Sequence, residues 1–90
     1  MVTLEYTIKN KLGIHARPAG FLAKFAKEHE DCVISCGRVN SSKEYDAKSV
    51  LSVMGAQFKC GDDIIFKIDS DGKISEDLVK KLRELLEKHF

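Results

Sequence analysis

One histidine and one arginine stand two residues apart in the stretch GIHARPA, which spans residues 13–19. A neutral imidazole is a nucleophile near pH 7, and histidine is among the side chains that form covalent intermediates. A guanidinium group presents its donors in a geometry that matches phosphate oxygens. The pair therefore indicates phosphoryl chemistry, with His15 as the nucleophile and Arg17 as the cation that stabilises the transferred group.

The only proline of the chain, Pro18, predicts how this pair is positioned. Proline has no backbone N–H and a fixed φ, so it fits the first turn of a helix, here residues 16–19. His15 then stands at the helix N-terminus, where unpaired N–H groups and the helix dipole favour a bound anion. Gly13 allows the preceding loop to turn sharply, which brings His15 into solvent.

The rest of the chain lacks the parts of a complete phosphoryl-transfer enzyme. It has no GxxxxGK[ST] motif, no glycine-rich nucleotide loop and no carboxylate cluster suited to magnesium. We therefore expect no bound cofactor and a phosphoryl donor that is another protein, which makes the chain a carrier. The spacing alone equally allows a plainer interpretation, in which His15 and Arg17 are ordinary polar residues of a loop.

Hydrophobic periodicity predicts the elements that position this site. Alternation over residues 2–8 predicts a strand, and helical spacing predicts a helix over residues 16–28. Further along, the pattern predicts a strand over 32–39, a strand near 43–45, a short helix capped by Asp46, a strand over 63–68 and a helix capped by Ser75. The order βαββαβα predicts an α+β open-faced sandwich, in which three helices cover one face of a four-stranded antiparallel sheet.

Length and composition predict one small domain, residues 1–90. The chain has 43% hydrophobic and 32% charged residues, and no segment approaches the roughly 20 apolar residues that cross a bilayer. The N-terminus lacks the pattern of a secretory signal. A net charge of +1 argues against binding to nucleic acid. We expect a cytoplasmic monomer that does not insert into membranes.

Three cysteines, Cys32, Cys36 and Cys60, cannot all pair within the chain, which fits a reducing compartment. We interpret them as buried thiols. The alternative is a metal site formed with His29, but zinc sites usually bring two cysteines together through C-x-x-C, which is absent here. We therefore predict no metal. His29 is interpreted as a solvated residue at a helix end, and His89 as an incidental terminal residue.

The motif GIHARPA, with DAKSVLSVM at residues 46–54 and KCGDDIIFKI at residues 59–68, resembles the HPr family of histidine-containing phosphocarriers of the bacterial phosphotransferase system. The family pattern G-[IL]-H-[AT]-R-P-A is matched at every position, and the resemblance covers essentially the whole chain. It implies that Nδ1 of His15 accepts a phosphoryl group from phospho-enzyme I, which phosphoenolpyruvate charges. It also implies transfer from His15 to sugar-specific EIIA domains.

The resemblance assigns roles to further residues. It places Ser49 at the regulatory serine of several bacterial lineages, which implies an HPr kinase/phosphorylase and a transcriptional regulator as further partners. It also predicts a docking surface for protein partners beside His15. The members of this docking surface are Gly20, Lys24, Lys27, Val50, Leu51 and Met54.

The sequence departs from the family pattern at Gly20, where alanine or threonine is usual, and at Gln57, where many relatives have glycine. The loop before Asp46 is longer by a few residues. These departures bear on partner preference, so a paralogue that serves a phosphorelay other than sugar uptake stays an alternative. A metal-binding module is a second alternative, because small metal chaperones share the βαββαβ order. Their first loop carries C-x-x-C, whereas this chain has His-Ala-Arg-Pro.

Overall fold

The computed structural model describes all 90 residues of the chain, in four strands and three helices. In chain order the elements are β1 (Val2–Thr7), α1 (Ala16–Glu28), β2 (Cys32–Arg38), β3 (Tyr45–Asp46), α2 (Val50–Gly55), β4 (Asp63–Ser70) and α3 (Glu76–His89). This βαββαβα order is the one that the sequence predicted. None of the helices combines the length and the hydropathy that a bilayer crossing requires.

The strands form one antiparallel sheet in the order β1-β4-β2-β3. The strand β4 lies between β1 and β2, and it places Phe66 opposite Leu4 and Ile68 opposite Ile34. These four side chains are buried, whereas Val33 is exposed. Because side chains alternate along a strand, the sheet has one apolar face and one face toward solvent.

The helices cover the apolar face of the sheet. A single hydrophobic cluster of 21 buried residues joins the strands to Leu22 of α1, Val53 of α2 and Leu82 of α3. The opposite face carries polar groups, including an ion pair between Lys67 Nζ and Glu44 Oε1 at 3.1 Å. The predicted open-faced sandwich is therefore confirmed.

The third strand lies later in the chain than the sequence predicted. It covers Tyr45–Asp46 rather than residues 43–45, and it pairs with Ser35 and Cys36 of β2. Tyr45 packs against the core, whereas residues 43 and 44 are exposed and have no apolar side chain to bury. Ala47 extends the pairing, because its N–H donates to the carbonyl of residue 34 at 3.0 Å.

The predicted N-cap of α2 is wrong. Ser49, rather than Asp46, caps this helix, and its Oγ accepts the N–H of Ser52 at 3.1 Å. Asp46 still belongs to β3, and its carboxylate accepts the N–H of Lys48 at 3.0 Å in the turn before the helix. Aspartate and serine are nearly equal in N-cap preference, so the sequence pattern did not separate the two positions.

The cysteines divide into two buried residues and one exposed residue. Cys32 and Cys36 belong to the core, and burial, together with the charge of Asp46, raises the pKa of Cys36 to about 12. The prediction that Cys60 is buried is wrong, because residues 59–61 form an exposed turn before β4. No group of three or more His, Cys, Asp or Glu side chains is arranged to hold a metal ion.

Candidate functional site

His15 is the N-cap residue of α1, at the helix end where the sequence placed it. Its backbone is extended (φ −100°, ψ −167°), and its carbonyl oxygen accepts the N–H of Ala19 at 3.1 Å. The imidazole is exposed and makes no hydrogen bond that caps the helix. The backbone of His15 is therefore fixed, while its ring nitrogens remain open to a reacting group.

The first turn of α1 presents the partial positive charge of unpaired backbone N–H groups at His15, and no acidic side chain offsets it. The N–H groups of Ala16 and Arg17 have no backbone acceptor, and Pro18 has no N–H to satisfy. The turn also contains no acidic side chain. The helix dipole and the two N–H groups therefore suit a phosphoryl anion bound at this position.

Arg17 projects from the same turn and is exposed. None of the three ion pairs of the protein involves its guanidinium. Its Cζ lies 6.0 Å from the ring centroid of Phe21, which follows one turn later on α1. The structure thus brings His15 and Arg17 to one helix end, with a guanidinium that is available to phosphoryl oxygens.

The loop before His15 is shaped by Gly13, as the sequence predicted. Gly13 has a positive φ of 71°, and a Cβ at this position would lie 2.7 Å from the carbonyl oxygen of Phe58. The same oxygen accepts the N–H of Ile14 at 3.0 Å, and the Ile14 side chain is buried. His15 therefore follows directly after a residue that is anchored in the core.

Arg38 contacts the segment that contains Phe58, whose carbonyl oxygen accepts the N–H of Ile14. This role of Arg38 was not predicted from the sequence. Its guanidinium lies 3.2 Å from the Asp62 carboxylate, donates to the Gln57 carbonyl at 3.0 Å, and has its Cζ 5.1 Å from the centre of the Phe58 ring. Gln57 has a positive φ of 53°, a conformation that glycine adopts without steric cost. An arginine at the end of a strand gives no sequence signal for such contacts.

The end of the chain lies beside the site, although the sequence analysis assigned His89 no role. The ring of His89 stacks on Phe21, with centroids 4.0 Å apart and planes inclined by 14°. Partial burial lowers the pKa of His89, and the positive charges of Lys88 and Arg17 lower it further. Arg17 and Phe21 are four residues apart on one helix, so their contact could be predicted from the sequence. No sequence pattern predicts that His89 packs on Phe21.

The residues predicted to form the docking surface lie on two helices that pack against each other, α1 and α2. On α2, Leu51 is 82% exposed and Met54 is 37% exposed, whereas Val50 is half-buried against the core. On α1, Gly20 is half-buried, and Lys24 and Lys27 are exposed at helical spacing from it. Their role in docking stays a prediction.

Ser49 lies at the N-terminus of α2, half-buried and hydrogen-bonded to the N–H of Ser52. No acidic residue stands in the first turn of this helix. Its hydroxyl serves as a cap, which is the ordinary role of a serine at such a position. A phosphoryl group at Ser49 would meet the positive end of the helix dipole.

No cavity encloses the candidate site. The three surface cavities of the protein, about 130 to 380 Å³ in volume, are lined by residues of other regions and include neither His15 nor Arg17. A small phosphorylated donor therefore has no pocket at His15. The exposed imidazole is instead suited to a donor and an acceptor that each present their reacting group on a protein surface.

Comparison with known proteins agrees with this geometry. Residues 2–88 match the family model described as the PTS HPr component phosphorylation site. The phosphocarrier protein HPr of Pseudomonas aeruginosa is 32% identical over 90 residues, which cover 100% of this chain and 96% of that protein. A crystal structure of HPr from Thermoanaerobacter tengcongensis has 30% identity and a TM-score of 0.81, and the match covers 100% of this chain and 96% of that one.

A second crystal structure from Thermoanaerobacter tengcongensis is described as an HPr dimer. It has 31% identity and a TM-score of 0.61, and the match covers 98% of this chain and 95% of that chain. The family model, the relatives and the structures agree on one family over nearly the whole length of the sequence. The chain belongs to the HPr family of phosphocarrier proteins of the phosphotransferase system.

Proposed function

We propose that His15 accepts a phosphoryl group from phospho-enzyme I, charged by phosphoenolpyruvate, and passes it to EIIA domains of sugar permeases. The observation that carries this proposal is the exposed imidazole of His15 at an uncompensated helix N-terminus, inside a family known for phosphoryl transport. The absence of a pocket at His15 supports a protein rather than a small molecule as the direct donor.

The transfer is a displacement at phosphorus. The lone pair of an unprotonated Nδ1 of His15 forms the new N–P bond while the bond between phosphorus and the carrier atom of phospho-enzyme I breaks, and that carrier atom keeps the electron pair. The proton of His15 stays on Nε2, so the step needs no external base. Arg17 and the N–H groups of Ala16 and Arg17 stabilise the charge on the phosphoryl oxygens.

Docking places the two reacting groups in line. The exposed apolar side chains of Leu51 and Met54 provide a modest contact area, and Lys24 and Lys27 of α1 provide positive charge for an acidic partner surface. We further propose that Ser49 is a regulatory phosphorylation site for an HPr kinase/phosphorylase, and that the modified surface is recognised by a transcriptional regulator.

A regulatory phosphorelay that does not serve sugar uptake is the second candidate function. Gly20 and Gln57 favour it, because both depart from the family pattern on or near the proposed docking surface. Phosphoryl transfer from the loaded chain to a panel of purified EIIA domains separates the two candidates. Sugar transport requires at least one efficient EIIA acceptor, whereas transfer to none of them favours the second candidate.

We also propose that the protein acts as a cytoplasmic monomer. The charged surface and the small core of a 90-residue chain support this state. Light scattering coupled to size exclusion tests it, since a second subunit doubles the mass.

The direct test of the function is incubation with phosphoenolpyruvate and enzyme I, followed by intact-mass measurement. We expect the mass of one phosphoryl group, lost on mild acid treatment as a phosphohistidine would be. His15→Ala should remove it without unfolding the domain, because an exposed side chain contributes little to the core. An unchanged acid-labile phosphoryl group on His15→Ala would exclude His15 as the acceptor.

A further inference from the structure

Phe21 and His89 form a parallel aromatic stack between α1 and α3, which we term the Phe21–His89 stack. The centroid distance of 4.0 Å and the interplanar angle of 14° leave no room for water between the rings. Phe21 is 36% exposed, so the stack lies at the surface of the protein rather than in its core. Neither ring belongs to the hydrophobic cluster of the core.

The backbone of His89 is fixed by the loop that leads to His15. Asn10 donates from Nδ2 to the carbonyl oxygen of His89 at 3.0 Å, while its Oδ1 accepts the N–H of Leu12 at 3.0 Å. The buried Phe90 adds a second connection, because its carbonyl oxygen accepts the N–H groups of Lys9 and Asn10 at 2.6 and 2.8 Å. The end of α3 is therefore held in a set position relative to the loop and the first turn of α1.

Arg17 depends on this surface for any restraint on its guanidinium. It has no ion pair, and its Cζ lies 6.0 Å from the ring centroid of Phe21. A long side chain at an exposed helix end otherwise samples many rotamers. By covering Phe21, His89 fixes the orientation of the ring that the guanidinium meets.

We propose that Phe21 and His89 are positioning residues, which restrain the Arg17 guanidinium at the end of α1 that carries His15 and thereby accelerate phosphoryl transfer. A guanidinium that is already placed loses less rotamer freedom when it binds the phosphoryl oxygens in the transition state. This inference rests on the proposed phosphoryl transfer through His15 for its kinetic consequence. Its structural part, the restraint on Arg17, is measurable without any partner protein.

Single-turnover transfer from phospho-enzyme I tests the kinetic part. Phe21→Leu and His89→Ala should slow transfer by roughly 3- to 30-fold, because a displaced catalytic group lowers the rate of the chemical step. His89→Phe keeps a ring that can stack on Phe21, so this variant should transfer at the rate of the parent. In an Arg17→Ala background, Phe21→Leu and His89→Ala should cause no further slowing. Equal slowing in both backgrounds would overturn the proposal, as would unchanged rates in the single variants.

Nuclear relaxation of the Arg17 Nε–H group in the isolated protein tests the structural part. We expect greater mobility of this group in Phe21→Leu and His89→Ala than in the parent and His89→Phe, with thermal midpoints that remain close. Equal mobility in all four proteins would overturn the proposal independently of any kinetics. If the parent itself takes up no phosphoryl group, the proposed function fails, and this measurement still decides whether the stack restrains Arg17.

Discussion

The carbonyl oxygen of Phe58 lies 3.0 Å from the amide nitrogen of Ile14, the residue directly before His15. This hydrogen bond joins the loop that carries His15 to the segment between α2 and β4. The close approach is possible because Gly13 has no Cβ, which would lie 2.7 Å from the same oxygen. The position of His15 therefore depends on a glycine and on a backbone bond as much as on the start of α1.

Gly13→Ala should reduce both stability and phosphorylation of His15. The new Cβ meets the Phe58 carbonyl, and alanine is strained at a φ of 71°, so we expect a loss of about 1–3 kcal/mol in the free energy of unfolding. Urea unfolding followed by circular dichroism measures this loss. Gly72→Ala is the matched control, because a Cβ there has no neighbour within 4 Å. A similar small effect in both variants would show that Gly13 is not required for the loop.

Gln57→Gly should stabilise the protein by about 0.5–1 kcal/mol. Glutamine occupies a positive φ of 53°, and glycine adopts this conformation without steric cost, which outweighs the added freedom of the unfolded chain. The carbonyl of residue 57 keeps its hydrogen bond from Arg38, since only the side chain changes. Gln57→Ala is the control, because alanine keeps the strain and should give no gain. Thermal or urea unfolding that ranks alanine equal to glycine would contradict this account.

Cys60 should react with a thiol reagent at pH 8 while Cys32 and Cys36 stay protected. Exposure makes Cys60 accessible, whereas Cys36 is buried and has a pKa of about 12. Intact mass over time should show one rapid modification, and uniform labelling of three thiols would disagree with the structure.

Because the Cys36 pKa is raised above its unfolded value of 9.0, the unfolded state loses its proton first and stability should fall as pH rises above about 9. Cys36→Ala should reduce this alkaline loss.

Leu51→Glu should weaken binding to enzyme I by roughly 10-fold or more, because an apolar side chain of the proposed docking surface is replaced by a charge that binding would have to desolvate. Calorimetric titration measures the affinity. Val33→Glu is the matched control, since Val33 is 68% exposed on the open face of the sheet and Leu51 is 82% exposed. Equal affinity of the two variants would remove Leu51 from the docking surface.

The sequence predicted the parts of the fold that depend on local patterns. Alternation in β1 and β4 and helical spacing in α1 and α3 are strong signals, and Pro18 located the start of α1. The errors occur where two signals compete over a few residues, as at Asp46, or where burial depends on tertiary packing, as at Cys60.

In the candidate site, too, the residues that are close in sequence were predicted and those from distant segments were not. His15 and Arg17 are neighbours in the chain, so the motif was enough to place them at one helix end. Arg38 and His89 reach the site from β2 and from the end of α3, and contacts between such distant segments leave no trace in residue spacing. The sequence therefore indicated the candidate residues His15 and Arg17, whereas the structure was needed to find the contacts of Arg38 and His89.

Ser49→Asp should slow phosphorylation of His15 without unfolding the domain. Aspartate is a good N-cap and its charge suits the helix dipole, so the hydrogen bond to the N–H of Ser52 is retained and the thermal midpoint should stay near that of the parent. The added negative charge lies next to Val50 and Leu51, where it opposes burial against an apolar partner and repels acidic groups.

Ser49→Asn is the matched control for this prediction, because asparagine also caps a helix but carries no charge. Ser49→Ala is less suitable, since loss of the cap alone should cost about 1 kcal/mol of stability. We therefore expect similar thermal midpoints for the Asp and Asn variants, slower transfer from phospho-enzyme I for Asp, and a rate close to the parent for Asn. Equal transfer rates for Asp and Asn would show that charge at Ser49 does not control docking, and a large loss of stability in the Asp variant alone would show that the helix does not tolerate it.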